Sequence, residues 1–265
     1  MPANDLFDPE NEENDRLLSA IFRRSDTIWD HSGDLVLDHI FGPKWREDKR
    51  DLVVSDEGIG RSASRQGLLR AHLSGFRKSL ARAGVEQVKL LCLFRRQDHW
   101  IASHYAQTSD RRAKPGQDDL AALIRRISDP RQERFTFGAL LDYAAIHDCV
   151  AEAVERRNML FLPVELLDSD HELVETSLAR FFDADVKSVR LGSKERANVR
   201  RLEQDVWKLR HGSRMHRLYS TLSWRADAVR LTPELSCLIK SIFASSNERL
   251  DRMLDVDLRS LHYFP

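Results

Sequence analysis

The sequence predicts an α/β fold with helix in excess, and three observations carry that expectation. Three short apolar runs, residues 51–56, 88–94 and 159–164, have the length of buried strands. Between them lie longer stretches whose apolar residues recur every three or four positions, the helical period. Strand, helix, strand in that order reads as a parallel crossover, so a short central parallel sheet flanked by many helices is expected.

Bulk properties narrow the class further. A chain of 265 residues can bury one sizeable core, and a single domain is expected over residues 15–265 behind a flexible, acidic N-terminus at 1–14. The 42 Lys and Arg balance 42 Asp and Glu, so no overall field selects nucleic acid as a partner. Three cysteines, Cys92, Cys149 and Cys237, sit far apart in apolar surroundings. They read as buried thiols in a reducing compartment, with no disulfide or metal pattern. No apolar run has membrane-spanning length and the N-terminus is unlike a signal peptide, so a cytoplasmic location is expected.

The elements follow in order. Asp15–Arg23 and Gly33–Phe41 carry apolar residues at helical spacing, and GPKWREDKRD makes a charged loop after the second. DLVVSD is the first expected strand and ends in the polar loop SDEGIGRSAS. Gln66–Ala83 is amphipathic, with Leu68, Leu69, Leu73, Phe76 and Leu80 on one face, and Gly84 stops it. The apolar run Val88–Phe94 is the second strand. Asp98 is placed to cap the helix that follows, with Trp100, Ile101 and Tyr105 at helical spacing. Residues 108–119 read as the most mobile loop, and Asp118–Ser128 as a helix. A long helix over Thr136–Arg156 leads into the third strand, closed by Glu165 in a structural role. His171–Phe182 is a helix capped by Ser169 or Asp170, and 191–205 a basic connector into another helix. Thr232 caps a final long helix with Pro233 in its first turn, running to about Leu254.

Chemistry concentrates where the strands end. Arg95 and Arg96 follow the second strand, and a hydroxyl, Ser103, lies eight residues past Arg95. Open α/β sheets bind ligands at the carboxyl ends of their strands. Arginines there either solvate the loop or clasp an anionic group by two-pronged hydrogen bonding. At the end of the 51–56 run, Glu57 is either an ordinary loop carboxylate or a general base. The histidines do not fall at metal-ligand spacing, and no serine sits in a glycine-flanked nucleophile elbow.

The segment RRQDHWIASHYAQ, with its arginine and serine eight apart, resembles the 3′-phosphate-binding segment of sulfotransferases, especially bacterial carbohydrate-type members. Ser55-Asp56-Glu57 is similar to an element after the second strand of such enzymes, and SSNERL resembles their C-terminal helix. The resemblance covers roughly residues 15–265 and implies a P-loop-type fold. It also implies a donor, 3′-phosphoadenosine 5′-phosphosulfate (PAPS), and a hydroxyl or amine of a carbohydrate or glycan as acceptor, with no metal. By the same match Arg95 and Ser103 hold the 3′-phosphate and Glu57 is the base. Arg96 joins them at the nucleotide site, and Asn198, with Lys194 and Arg196, occupies positions that return to the nucleotide in the family.

The family's Pro-Lys-Thr-Gly-Thr-Thr loop, which wraps the 5′-phosphate, has no counterpart here; Gly42-Pro43-Lys44 is followed by Trp45 and Arg46. The order of the remaining segments predicts a chain that begins after the first strand, as a fragment or by loss of the element, with a sheet missing its first strand. Three readings therefore stand: a sulfotransferase, inactive or weakly active as this chain; a degenerate, non-catalytic family member that binds a nucleotide or a protein; and an unrelated helix-rich interaction protein. An exposed sheet edge leaves room for an oligomer.

Overall fold

A computed structural model describes residues 21–22, 24–47, 51–55, 59, 66–127, 140–189, 201–203, 205–210 and 228–265. In order, the principal elements are α1 (Ile28–Phe41), α2 (Gln66–Arg82), β1 (Leu90–Phe94), α3 (Gln97–Gln107), α4 (Gln117–Arg126), α5 (Tyr143–Val154), β2 (Met159–Pro163), α6 (His171–Phe182), β3 (Arg201–Glu203), β4 (Val206–Lys208), β5 (Ala228–Arg230) and α7 (Pro233–Asp251). The architecture is α/β, mostly helical, with β1 and β2 paired in a small parallel sheet. None of the described helices is long and apolar enough to cross a membrane. The backbone divides into two compact units of interleaved sequence: residues 1–92 with 143–160, and residues 93–142 with 161–265.

In the first unit, α2 packs on both α1 and α5. Trp29 is fully buried and its indole N–H donates to His72 Nδ1 (2.8 Å), while Phe22 stacks on the His72 ring at 4.9 Å. Leu37, Trp45 and Leu80 form a second buried cluster, against which Phe41, Leu52, Phe76 and Val88 pack. The two helices approach closely because glycines face bulky partners. A Cβ on Gly75 would lie 2.6–2.7 Å from Trp29 Cδ1, Cγ and Cβ, and one on Gly33 would collide with Ser79. The atoms met at Trp29 include the root of its side chain, which cannot swing aside. Gly75→Ala is therefore expected to cost about 1–3 kcal/mol by overpacking despite alanine's better helix propensity, read as a lower urea midpoint. At its C-terminus α2 closes as the sequence indicates: Gly84 has φ 89°, its N–H reaches Ala81 O (3.1 Å), and the N–H of Val85 reaches Leu80 O (3.0 Å).

In the second unit, α7 packs on α3 and α4 around Ile101, Tyr105, Leu120, Ile124, Ile239 and Phe243. Thr232 accepts the N–H of Leu235 (3.3 Å) at the start of α7, and Asp170 accepts that of Leu173 (2.9 Å) at the start of α6. β4 pairs antiparallel with both β3 and β5. The β3–β4 reversal uses a positive φ of 62° at Asp205, a conformation that Asp tolerates better than most residues.

Several expectations need correction. Residues 51–55 form no strand: Leu52 packs into the Trp45 cluster and Val53 is 69% exposed, while Asp56 lies outside the described residues. In the described sheet, Leu91 and Leu93 share one face of β1 and are 38% and 51% exposed. The basic connector leads into β3 and the antiparallel sheet, not into a helix. The expected long helix over 136–156 is described from Leu140 and breaks at Asp142, whose carboxylate accepts from the Ser246 hydroxyl (2.6 Å). The 108–119 loop is tied down. The Tyr105 hydroxyl accepts from the Gly116 N–H (2.8 Å) and donates to Asp119 (2.8 Å), which also pairs with Arg112, while the buried Ser109 hydroxyl accepts from the Arg210 N–H (2.7 Å). Of the three thiols Cys149 is buried and Cys92 partly so, with burial pushing them up to about 11 and about 12, but Cys237 is exposed. The expected flexible N-terminus, 1–14, lies outside the described residues.

Candidate functional site at the carboxyl end of β1

Where β1 ends, the Phe94 carbonyl accepts the N–H of Val164 (2.8 Å), which holds the ends of the two parallel strands side by side. Two residues past β1, the N–H of Arg96 goes to Glu165 Oε1 (3.0 Å), and the other oxygen of Glu165 accepts the Tyr263 hydroxyl (2.8 Å). Glu165 thus joins both strand ends to the C-terminal segment, the structural role read from its position. A carboxylate so held satisfies a backbone donor that neither strand can pair.

Helix α3 begins immediately, with Arg96 at its N-cap position. Asp98 is not the cap. It sits inside the first turn, only 1% exposed, because a set of donors draws its carboxylate inward. Arg96 grips it as a fork (Nε 3.1 Å, a terminal nitrogen 2.7 Å), Ser236 of α7 donates to it (2.7 Å), and so does the N–H of His99 (2.8 Å). Burial alone would raise the Asp98 carboxyl, but Arg96 and Ser236 outweigh it and hold the group below its ordinary value. Two of the five guanidinium N–H groups of Arg96 are engaged in this way, so its contribution to a ligand is limited to the rest.

Gln97 and Asn247 complete the support. The Gln97 amide donates to Asn247 Oδ1 (2.7 Å) and to the Leu141 carbonyl (3.3 Å), and Asn247 donates to the Tyr263 carbonyl (3.0 Å). Both are buried. The first turn of α3 is therefore fixed from below by α7, with Ser236 and Asn247 as its two anchors.

Ser103 lies two turns further along, half-buried, on the face shared with His99, Trp100 and His104. This face is aromatic: Trp100 and His104 stack at 4.6 Å and 5°, and His99 meets Trp207 edge-on at 5.7 Å while its Nε2 lies 3.3 Å from Asp205. Arg95, at the strand tip, is exposed. From Arg96 to Ser103 the helix rises about 10 Å, so a group touching both Arg95 and Ser103 would lie along this first stretch of α3. Of the clefts formed by described residues, one of about 630 Å³ lies among Arg77, Lys78, Glu155 and Arg157, and one of about 420 Å³ among Arg111, Arg112, Lys114 and Asp119. Arg95 and Ser103 line neither.

Of the residues singled out in the sequence, Arg95, Arg96 and Ser103 belong to one strand–helix junction. Glu57 and Asn198 lie outside the described residues, as do Asp56, Lys194 and Arg196. Sequence reasoning missed Asp98 as an ion-pair partner, Ser236, and the Gln97–Asn247 pair. Asn247 was legible only as a polar residue on the apolar stripe of Leu235, Ile239, Phe243 and Leu250, which it shares at helical spacing. Among the described residues no group of three or more His, Cys, Asp or Glu side chains could hold a metal ion. No known protein family, curated protein or solved structure matches the chain.

Proposed function

We propose that this chain is a sulfotransferase-like domain of the P-loop type that binds PAPS, with Arg95 and Ser103 on the 3′-phosphate and Arg96 beside them. One observation carries the reading: the strand that ends in Arg95 and Arg96 is paired in parallel and passes at once into the helix that bears Ser103. A parallel strand's carboxyl end with a helix N-terminus above it is where such folds hold anionic groups. In the reaction so proposed, a hydroxyl or amine of a carbohydrate or glycan attacks the sulfur of the donor. The sulfur–oxygen bond to the 5′-phosphate breaks, that phosphate keeps the electron pair, and Glu57 takes the acceptor's proton. The protein's part is positioning and charge neutralisation, as in phosphoryl transfer.

A second reading, a non-catalytic relative that keeps the nucleotide site, is favoured by the sheet itself. Residues 51–55 do not add the expected strand, and Leu91 and Leu93 of β1 stay exposed. The two readings part on turnover, not on binding. Adenosine 3′,5′-bisphosphate should raise the melting temperature of the full chain, and Arg95→Ala should weaken binding about tenfold to a hundredfold, the worth of one charge-assisted contact. No shift at millimolar nucleotide would leave only a non-catalytic relative that binds a protein, or an unrelated interaction protein. Sulfated glycan formed from PAPS by the purified chain would decide for the enzyme.

A further inference from the structure

We propose that Lys240 of α7 supplies a third cation, after Arg95 and Arg96, to the strand-end site and contacts a phosphate of the bound nucleotide. This rests on the nucleotide-binding reading above.

Lys240 is placed by the packing of α7 on α3. Ser236 and Asn247 place one stripe of α7 against the first turn of α3, through Asp98 and Gln97 respectively. Lys240 lies one helical turn beyond Ser236 on that stripe and is half-buried. Its side chain therefore leaves α7 beside the Arg96–Asp98 fork.

Among the described residues, the charges that act on Lys240 include Arg96, which opposes its ammonium, and Asp98 and Asp205, which favour it; the Cys237 thiol lies three residues back on the same helix. Asp98 already takes the Arg96 fork, the Ser236 hydroxyl and the His99 N–H, and Asp205 takes His99. Glu165, the other carboxylate of the junction, is engaged by the Arg96 N–H and the Tyr263 hydroxyl. Among the described residues no carboxylate comes within ion-pair distance of Lys240.

A half-buried ammonium that Arg96 opposes, near a helix N-terminus that also repels cations and with no described carboxylate within ion-pair distance, gains stability when an anion arrives. Burial and then Arg96 pull the Lys240 amine below its ordinary value, which agrees with that imbalance. A phosphate bound along the junction would reverse the sign of the local field and favour the ammonium. Arg95, Arg96 and Lys240 then approach the ligand from β1, the start of α3 and α7. The second unit's own C-terminal helix so provides a counter-charge for the nucleotide.

The test is a calorimetric titration of adenosine 3′,5′-bisphosphate into the full chain and four variants: Arg95→Ala, Lys240→Met, Lys240→Arg and, as an exposed control, Lys187→Ala. Lys240→Met is expected to weaken binding about tenfold or more while Lys240→Arg keeps most of it, since a charge-assisted contact to phosphate is being removed or retained. Without ligand, Lys240→Met should melt at or above the wild-type temperature, because it removes a cation that no described carboxylate pairs; a packing role alone predicts a lower melting temperature with unchanged affinity. Carbon-13 titration of the lysine side chain should show the Lys240 pKa rising when nucleotide is bound, a readout that does not depend on any variant folding. If Lys240→Met binds like the wild type while Arg95→Ala is weakened, the role given to Lys240 is wrong and the nucleotide site stands. If wild-type protein binds no nucleotide, both are wrong.

Discussion

Asp98→Ala is expected to destabilise the second unit by roughly 3–5 kcal/mol, the cost of breaking a buried pair by removing one partner. The carboxylate is 1% exposed and collects four donors, so its loss leaves the Arg96 guanidinium, the Ser236 hydroxyl and the His99 N–H without their acceptor. Removing the donor on the far side is milder: Ser236→Ala deletes one neutral donor to a charged acceptor and leaves the Arg96 fork intact. The two variants together separate a charge network from a packing effect. Urea unfolding should show a large fall in midpoint for Asp98→Ala and a small one for Ser236→Ala. Equal falls would mean that the fork contributes little.

A loss of similar size is expected in the first unit from Trp29→Ala, roughly 3–5 kcal/mol for a large buried aromatic. Trp29 fills the space that Gly75 leaves open, meets Phe76 edge-on at 5.4 Å and donates its indole N–H to His72. That bond fixes the chemistry of the histidine. Nδ1 accepts from Trp29, so Nε2 carries the proton and donates to the Arg24 carbonyl (3.1 Å), which is the neutral imidazole. Burial lowers the His72 pKa below 6.5, against smaller opposing effects of the Arg24 carbonyl and the Asp26 carboxylate. The folded state thus binds fewer protons than the unfolded one just below pH 6.5. His72 contributes stability that is present above the unfolded value and lost as pH falls from there towards the lowered folded value. Unfolding of the wild type followed from pH 7.5 to 5 should show this decline, and Trp29→Ala, already weakened, should show a shallower one. An identical slope in the two proteins would place the titration elsewhere.

How far the sequence carries can be read from particular residues. The helices were legible because their apolar stripes are long: α2 ends at Gly84 and α7 starts at Thr232 and Pro233, as local capping chemistry requires. β1 and β2 were legible as apolar runs, and their parallel pairing followed from the helical segments between them. DLVVSD misled because its apolar residues divide between a helix-packed side, Leu52, and solvent, Val53, which a local pattern cannot distinguish from a strand. The antiparallel sheet was missed because three-residue strands are too short to show a period. At the candidate site the arginines and the serine come from one stretch of thirteen residues and could be read together. Asp98 was visible only as a helix cap, because one of the donors that draw it inward, Ser236, lies 138 positions away. Lys240 was invisible for the same reason: only the packing of α7 brings it beside Arg96.

Everything functional in this account depends on a phosphate settling along the first two turns of α3. The most direct measurement is a nitrogen-15 NMR titration of the full chain with adenosine 3′,5′-bisphosphate, repeated with adenosine 5′-phosphate. Saturable shifts are expected at the amides of Arg95, Arg96 and Ser103, strong with the bisphosphate and much weaker when the 3′-phosphate is absent. Shifts confined to other residues, or equal responses to the two nucleotides, would contradict it.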